Sequence, residues 1–485
     1  MGRPKAQAAP PALTMIWQQN KQRLCVAIGL LGALVCGAAP ESTASTNAAE
    51  SAAAPAVLPP GDAASDMTAG RPAGAAEQSW NWHVQNTDIV QGDPGCPAKY
   101  SGPNSFSTSG EVRETVSVDL FAGARLWRGA EAHLDGLMWQ GFGLSKTFGI
   151  EGFPNGEAFR LGTSVPNVNL ARLFIRQTIG LGGEQESVED DAIHLAGRQD
   201  VSRLTLTVGK FSAKDIFDNN SYANDPRTQF MNWGLMADEA WDYPADSLGF
   251  ETGFAAELNV PRWTLRYGFF QMPNVANGVA QDSHYLEAWG MVTELERRFA
   301  PNGHPGVVRL LAFLNEAHMG SFRDAVDSPI RPADIAATRE YRFKYGFALN
   351  AEQEIVTNVG VFTRLGWNDG RTESWVFADV DHTITFGVSV KGQSWGRSAD
   401  TLGVAGVFNG ITRVHQEFFE AGGTGILAGD GALNYGWEKI LETYYDFQIW
   451  KWIHGALDYQ FVTDPAYNRD RGPISIIGAR LHWDF

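Results

Sequence analysis

The closing stretch of the chain, ISIIGARLHWDF, alternates without a break: Ile477, Ala479, Leu481, Trp483 and Phe485 fall on one face, Ile476, Gly478, Arg480, His482 and Asp484 on the other. Period two predicts a β-strand over 474–485 whose one face is apolar to the last residue. Terminal residues normally fray into water, so an aromatic ending calls for surroundings that hold it. The interfacial girdle of a closed membrane barrel, whose last strand pairs with its first, supplies them.

The alternation recurs upstream. Val116, Val118, Leu120, Ala122, Ala124 and Leu126 interleave with Thr115, Ser117, Asp119, Phe121, Gly123 and Arg125. Ala171, Leu173 and Ile175 oppose Arg172 and Arg176, and Leu204, Leu206 and Val208 oppose Arg203, Thr205 and Thr207. Trp263, Leu265, Tyr267 and Phe269 oppose Arg262, Thr264, Arg266 and Gly268; Leu441, Tyr445, Phe447 and Ile449 oppose Glu442, Tyr444, Asp446 and Gln448. Each reads as a strand with one lipid-compatible face and one wet face. Two polar segments, 131–139 and 228–237, are the best helical candidates and are expected in loops or in the barrel mouth.

Lys21 and Arg23 precede an apolar run over 24–35 and then Cys36, Gly37, Ala38 and Ala39, the order of a secretory signal peptide. The expected organisation is a signal peptide at 1–39, with an approximate cleavage position, a disordered Ala/Pro-rich linker at 40–79, and a barrel at 80–485. Removing the leader takes Cys25 and Cys36 with it and leaves Cys96 with no intramolecular partner. No later apolar run is long enough for a spanning helix. At about 9 to 11 residues per membrane strand, 80–485 has room for roughly 16 to 18 antiparallel strands with their turns.

Composition agrees with an all-β barrel: 53 Gly for turns, 16 Trp and 28 Phe for girdles, and only 19% charged residues. The net charge is -17, and the leader holds four bases and no acid, so the remainder carries -21. That argues against nucleic acid as a partner. The ten His are dispersed, and HExxH, CxxC and P-loop patterns are absent, which argues against an enzyme.

Several stretches resemble the OprB-type carbohydrate-selective porins of Gram-negative outer membranes. They are Leu126-Trp127 with Gly129-Ala130-Glu131, QGFGLS at 140–145, GFPNGE at 152–157, ARLFIRQTIGLGG at 171–183, GKFSAKDIFDNNSYANDPRTQFMNW at 209–233, AWDYPAD at 240–246 and PAYNRDRGP at 465–473. The resemblance runs from about Trp80 to Phe485. It implies a 16-stranded transmembrane β-barrel narrowed by inward-folded loops, passing monosaccharides and similar small polar solutes down their gradient. It also implies outer-membrane lipid and lipopolysaccharide as surroundings, contact of Phe485 with the barrel assembly machinery, and no cofactor; it leaves a homotrimer open.

A sugar presents hydroxyls at its edges and weakly apolar C–H faces. A sugar channel therefore needs planar donors, acceptors beside them and an aromatic platform, with binding weak enough to release the solute. Arg125, Arg172, Arg176 and Arg203 are the expected donors, Asp119 and Glu131 the acceptors, and Trp127 the stacking surface. Asn155-Gly156 and Asn219-Asn220 read as turn formers. Asp215, Asp218 and Asp225 could hold Ca2+ through oxygen ligands, although the spacing is not that of an EF-hand. Trp437, Tyr444, Tyr445, Trp450 and Trp452 are assigned to interfacial girdles. Other readings are a channel for small organic acids or aromatic compounds, and a plugged-barrel binding protein or adhesin.

Overall fold

The computed structural model describes residues 77–158 and 162–485. The expected signal peptide, and all of the expected linker except 77–79, lie outside the described residues. The strands are β1 (Trp80–Asp93), β2 (Glu111–Trp127), β3 (Ala130–Gly141), β4 (Thr163–Gly180), β5 (Gln185–Val188), β6 (Gly197–Asp200), β7 (Arg203–Phe211), β8 (Glu251–Val260) and β9 (Trp263–Gln271). They continue with β10 (Trp289–Phe299), β11 (Gly306–Met319), β12 (Glu340–Val356), β13 (Val359–Asn368), β14 (His382–Lys391), β15 (Thr401–Gly410), β16 (Glu438–Trp450), β17 (Ile453–Thr463) and β18 (Ile474–Asp484). Apart from β5 and β6, which form their own hairpin, all close one antiparallel barrel of sixteen strands sealed by β1 against β18. Val84 and Phe485 exchange both backbone hydrogen bonds at 3.0 Å, which holds the chain end in place.

Connections differ sharply between the two ends. Residues 128–129, 261–262, 357–358 and 451–452 are two-residue turns. Gly129 and Asn358 take φ of 74° and 69° there, as twist-matched hairpin turns require. The opposite end carries the long loops, among them 142–162, 212–250 and 411–437. Three short helices sit in these loops: α1 (Trp233–Met236), α2 (Phe322–Asp327) and α3 (Arg413–Glu420). Among the described residues, no helix is long and apolar enough to cross a membrane.

The alternation expected from the sequence decides which way side chains point. On β9, Trp263, Leu265, Tyr267 and Phe269 are 36–43% exposed while Thr264, Arg266 and Phe270 are buried. On β18, Ile477 and Leu481 face out and Ile476 and Arg480 face in. The segment expected to be helical at 131–139 is instead β3. Its inward face carries apolar Leu137 and Trp139, which pack on Leu248 and Phe250 and so disguise the period-two pattern. The expected helix at 228–237 is realised only as α1. Of the five aromatics assigned to girdles, Tyr444 points inward and meets the Phe230 ring at 4.8 Å.

The inward side chains are charged yet buried because residues 212–250 fold into the barrel and lie on them. Arg364 donates from Nε to Asp218 Oδ1 at 3.0 Å and from Nη1 to the Leu235 carbonyl at 2.8 Å. Asn350 donates to Asp218 Oδ1 at 2.6 Å, and Glu294 accepts from the Asp218 N–H at 2.7 Å. Farther round the wall, Glu442 accepts from the Met231 and Asn232 N–H groups at 2.6 and 3.0 Å. Burial pulls the Lys214 ammonium down to about 8 although Asp218 opposes this. Burial would raise the Asp218 carboxyl, but Arg364 and Lys214 hold it far below its usual range. A charge left here without its partner would cost several kcal/mol, so these pairs determine where the loop lies.

Candidate functional site

A cavity of about 780 Å3 follows the lumen past this loop. Thr147, Phe153, Asn277, Phe377 and Leu427 line it toward the loop end, and Asn358, Gln393, Trp452 and Phe485 toward the turn end. Between them stands Arg172. Phe121 pairs with Asp135, and Asp135 with Arg172, so the three form one row across β2, β3 and β4. Next to that row the register slips: Asp135 faces Arg172 but Gly136 faces Leu170, which leaves Ala171 as the extra residue of a bulge. The bulge turns Ala171 inward against Leu137 and Phe250, contrary to the simple alternation, and keeps Arg172 aimed at the lumen.

Arg172 donates from Nε and Nη2 to Asp215 at 2.8 and 2.7 Å, and from Nη1 to Asp135 at 2.6 Å. Three of the five guanidinium N–H groups are used in this way, which leaves two for a solute. The Phe250 ring lies 4.9 Å from the guanidinium carbon. A second guanidinium, Arg227, lines the same cavity and pairs with Asp119 and Glu157, both at 3.0 Å. Glu157 is placed by the turn that Asn155 forms: Asn155 Oδ1 accepts from the Glu157 N–H at 2.9 Å, while its Nδ2 donates to Thr115 at 2.9 Å. Each guanidinium is thus shared between two carboxylates.

Aromatic rings form another part of the lining. Phe153 and Trp233 stack at 5.1 Å with 12° between planes, Trp233 meets Phe377 at 4.6 Å, and Phe377 meets Tyr243 at 5.2 Å. All four touch the cavity. Its charge is negative on balance, with seven carboxylate side chains against Arg172, Lys214, Arg227 and Lys391.

Of the seven residues singled out from the sequence, Arg172 lines the cavity directly and Asp119 reaches it through Arg227. Arg176 donates to the Ile193 carbonyl at 2.7 Å. Arg125 pairs with Glu131 at 3.3 Å, and the Trp127 indole donates to Gln177 at 2.8 Å. Arg203 holds Glu186 at 2.6 Å. Arg125 and Trp127 border a separate recess with Arg128 and Arg198. Arg227, Glu157 and Trp233 were missed individually, although each lies in a stretch already singled out, 209–233 or 152–157. The run from Asp215 to Asp225 meets cations of the chain itself, Asp215 with Arg172 and Asp218 with Lys214 and Arg364. Among the described residues, no group of three or more His, Cys, Asp or Glu is arranged to hold a metal ion.

A closed sixteen-stranded barrel, apolar outside and charged inside, with one loop narrowing its lumen, defines a porin-class channel. The family described as "Carbohydrate-selective porin, OprB family" matches residues 103–485, and the chain belongs to it. Family and fold together define a sugar-selective outer-membrane channel. The high-pH structure of Pseudomonas putida OprB aligns with a TM-score of 0.63 at 17% identity, covering 84% of this chain and 94% of that one. The low-pH structure of that protein aligns at 0.45 and 13% identity, covering 84% and 93%. Pseudomonas aeruginosa OccK2 (OpdF) aligns at 0.43 and 9% identity, covering 84% and 97%. No curated protein matches the chain.

Proposed function

We propose that the chain carries monosaccharides of the glucose type, and similar small neutral polar solutes, across the outer membrane by facilitated diffusion. The carrying observation is that two guanidinium groups, each shared between two carboxylates, line one cavity with a wall of stacked aromatics. Arg172 and Arg227 donate to sugar hydroxyls, their carboxylates accept, and Trp233 with Phe153 and Phe377 meets the C–H faces. Arg125, Glu131, Trp127, Arg176 and Arg203 brace the turn-end rim around them. Outer-membrane lipid and lipopolysaccharide surround the barrel, with the turn end toward the periplasm.

An organic acid would compete with resident carboxylates for both guanidiniums and would enter a lumen that is already acidic. This favours neutral cargo. Liposome swelling with glucose against a carboxylate of the same size tests the assignment. Faster entry of glucose is expected, and faster entry of the carboxylate would overturn the cargo.

A further inference from the structure

At the turn end, six of the seven connections between barrel strands are short: four of two residues, with 300–305 and 392–400 the longest. The seventh, residues 181–202 between β4 and β7, is far longer and contains the β5–β6 hairpin. Long connections inside compact folds generally have a function. This one turns back into the barrel, where Asp190, Asp191, Ala192 and Ile193 line the lumen cavity together with His83, Asp484 and Phe485.

Its position is held from two strands. The Asn81 amide donates to Asp190 Oδ1 at 2.8 Å and to the carbonyls of Asp191 and His194 at 2.9 and 3.0 Å. Gln78 and Ala196 bond in both directions, at 3.0 Å from the Gln78 N–H and 2.8 Å from the Ala196 N–H. His83 lies 3.2 Å from Asp190, and Arg176 donates to the Ile193 carbonyl at 2.7 Å. These contacts tie the segment to β1 and β4, on the side of the barrel that carries Arg172. Over 181–202 the chain carries six acids and one Arg. A fixed carboxylate in a narrow, partly dry mouth acts strongly on a passing charge, because low-dielectric walls focus its field.

We propose that residues 189–196 form a second, inner selectivity filter at the periplasmic mouth, where Asp190 and Asp191 set the charge that a permeating solute meets. Neutral sugars and cations pass, and anions are turned back a second time after the Arg172 region. The filter rests on the channel reading above, and it is separate from the sugar contacts, which lie deeper in the lumen.

Planar-bilayer recordings in a KCl gradient test it. In Asp190→Asn/Asp191→Asn the cation-over-anion permeability ratio should fall about sevenfold per carboxylate removed, because one charge passed at about 7 Å in water favours the cation and disfavours the anion by about threefold each. Glucose block should stay within about twofold, as the donors at Arg172 are untouched. Channels that open normally with an unchanged reversal potential would overturn the filter and leave 181–202 as a brace. Wild-type protein that forms no channels would instead overturn the channel reading itself. Should the double variant fail to assemble, Ala192→Cys gives an independent reading, since the native Cys96 is buried. A cationic thiol reagent should react there faster than an anionic one and lower conductance; equal rates, or no change in current, would overturn the filter.

Discussion

Replacing Arg172 by Ala isolates what the lumen guanidinium does. It removes three charge-assisted hydrogen bonds, to Asp135 at 2.6 Å and to Asp215 at 2.8 and 2.7 Å. The Asp135 and Asp215 side chains are 1% and 12% exposed, so both carboxylates lose their partner where little water replaces it. Breaking a fully buried pair costs about 3–5 kcal/mol. With the Arg172 side chain 15% exposed to the lumen, the lower end, about 3 kcal/mol, is expected here. The barrel should still assemble, because the sixteen-strand ladder does not depend on this side chain.

The functional loss follows from the two N–H groups that Arg172 keeps for a solute. A hydrogen bond from a charged donor to a sugar hydroxyl contributes about 1.5 kcal/mol, which is about tenfold in affinity. In planar bilayers the glucose concentration that half-blocks the ion current should therefore rise about tenfold where one of these N–H groups meets the sugar and about a hundredfold where both do. Cation selectivity should increase, since two carboxylates stand where a cation neutralised one. Arg172→Lys should recover charge balance but not the planar fork, and so should restore selectivity more fully than sugar block. A half-blocking concentration within about twofold of wild type, in channels that otherwise open normally, would refute the assignment of Arg172 to the sugar path.

Arg125→Ala is the matched control, because Arg125 borders the turn-end recess and not the lumen cavity; glucose block should be unchanged, and a loss as large as that in Arg172→Ala would return Arg125 to the solute path. Arg364→Met leaves Asp218 buried with Lys214 as its one remaining cation, so a loss of about 3–5 kcal/mol is expected. It should appear as faster proteolysis within 212–250 and noisier channel current; a quiet, protease-resistant variant would show that the loop is held by other contacts. For the inner mouth, burial pushes Asp190 and Asp191 up, but hydrogen bonds from His83, Asn81 and Gln78 to the first, and His194 beside the second, leave both carboxyls below the usual 3.8. A carboxyl lowered on folding contributes stability that is complete above its unfolded value and is lost as pH falls through the folded one. In a His83→Gln/His194→Gln background, which removes the imidazoles 3.2 Å from Asp190 and 2.9 Å from Asp191, cation preference should hold from neutral pH to about pH 4, and its loss near pH 6 would show that these carboxyls are not the groups in control.

The barrel was legible because lipid makes a demand on each strand by itself. The outward positions at membrane depth are mostly apolar, so Trp263, Leu265, Tyr267 and Phe269 announce β9 whatever the remainder of the chain does. The lumen makes no such demand residue by residue. Leu137 and Trp139 are apolar and face inward, because Leu248 and Phe250 come back to cover them; read locally, that stretch looked helical. Ala171 points inward because of a bulge whose register is set by β3.

The site divides along the same line. A row of Arg on polar faces suggested donors for a solute, and Arg172 does line the cavity. Sequence could not show that Arg203 and Arg125 end at the rim, nor that Arg227 joins Arg172 from 55 positions along the chain. The sequence alone determined the β-period, the closing aromatic strand and the charge balance, since each depends on one residue and its solvent. Tertiary structure decided which charges meet, because pairings such as Asp218 with Arg364, or Asp190 with Asn81, join residues more than a hundred positions apart and exist only after the barrel closes around residues 212–250 and 181–202.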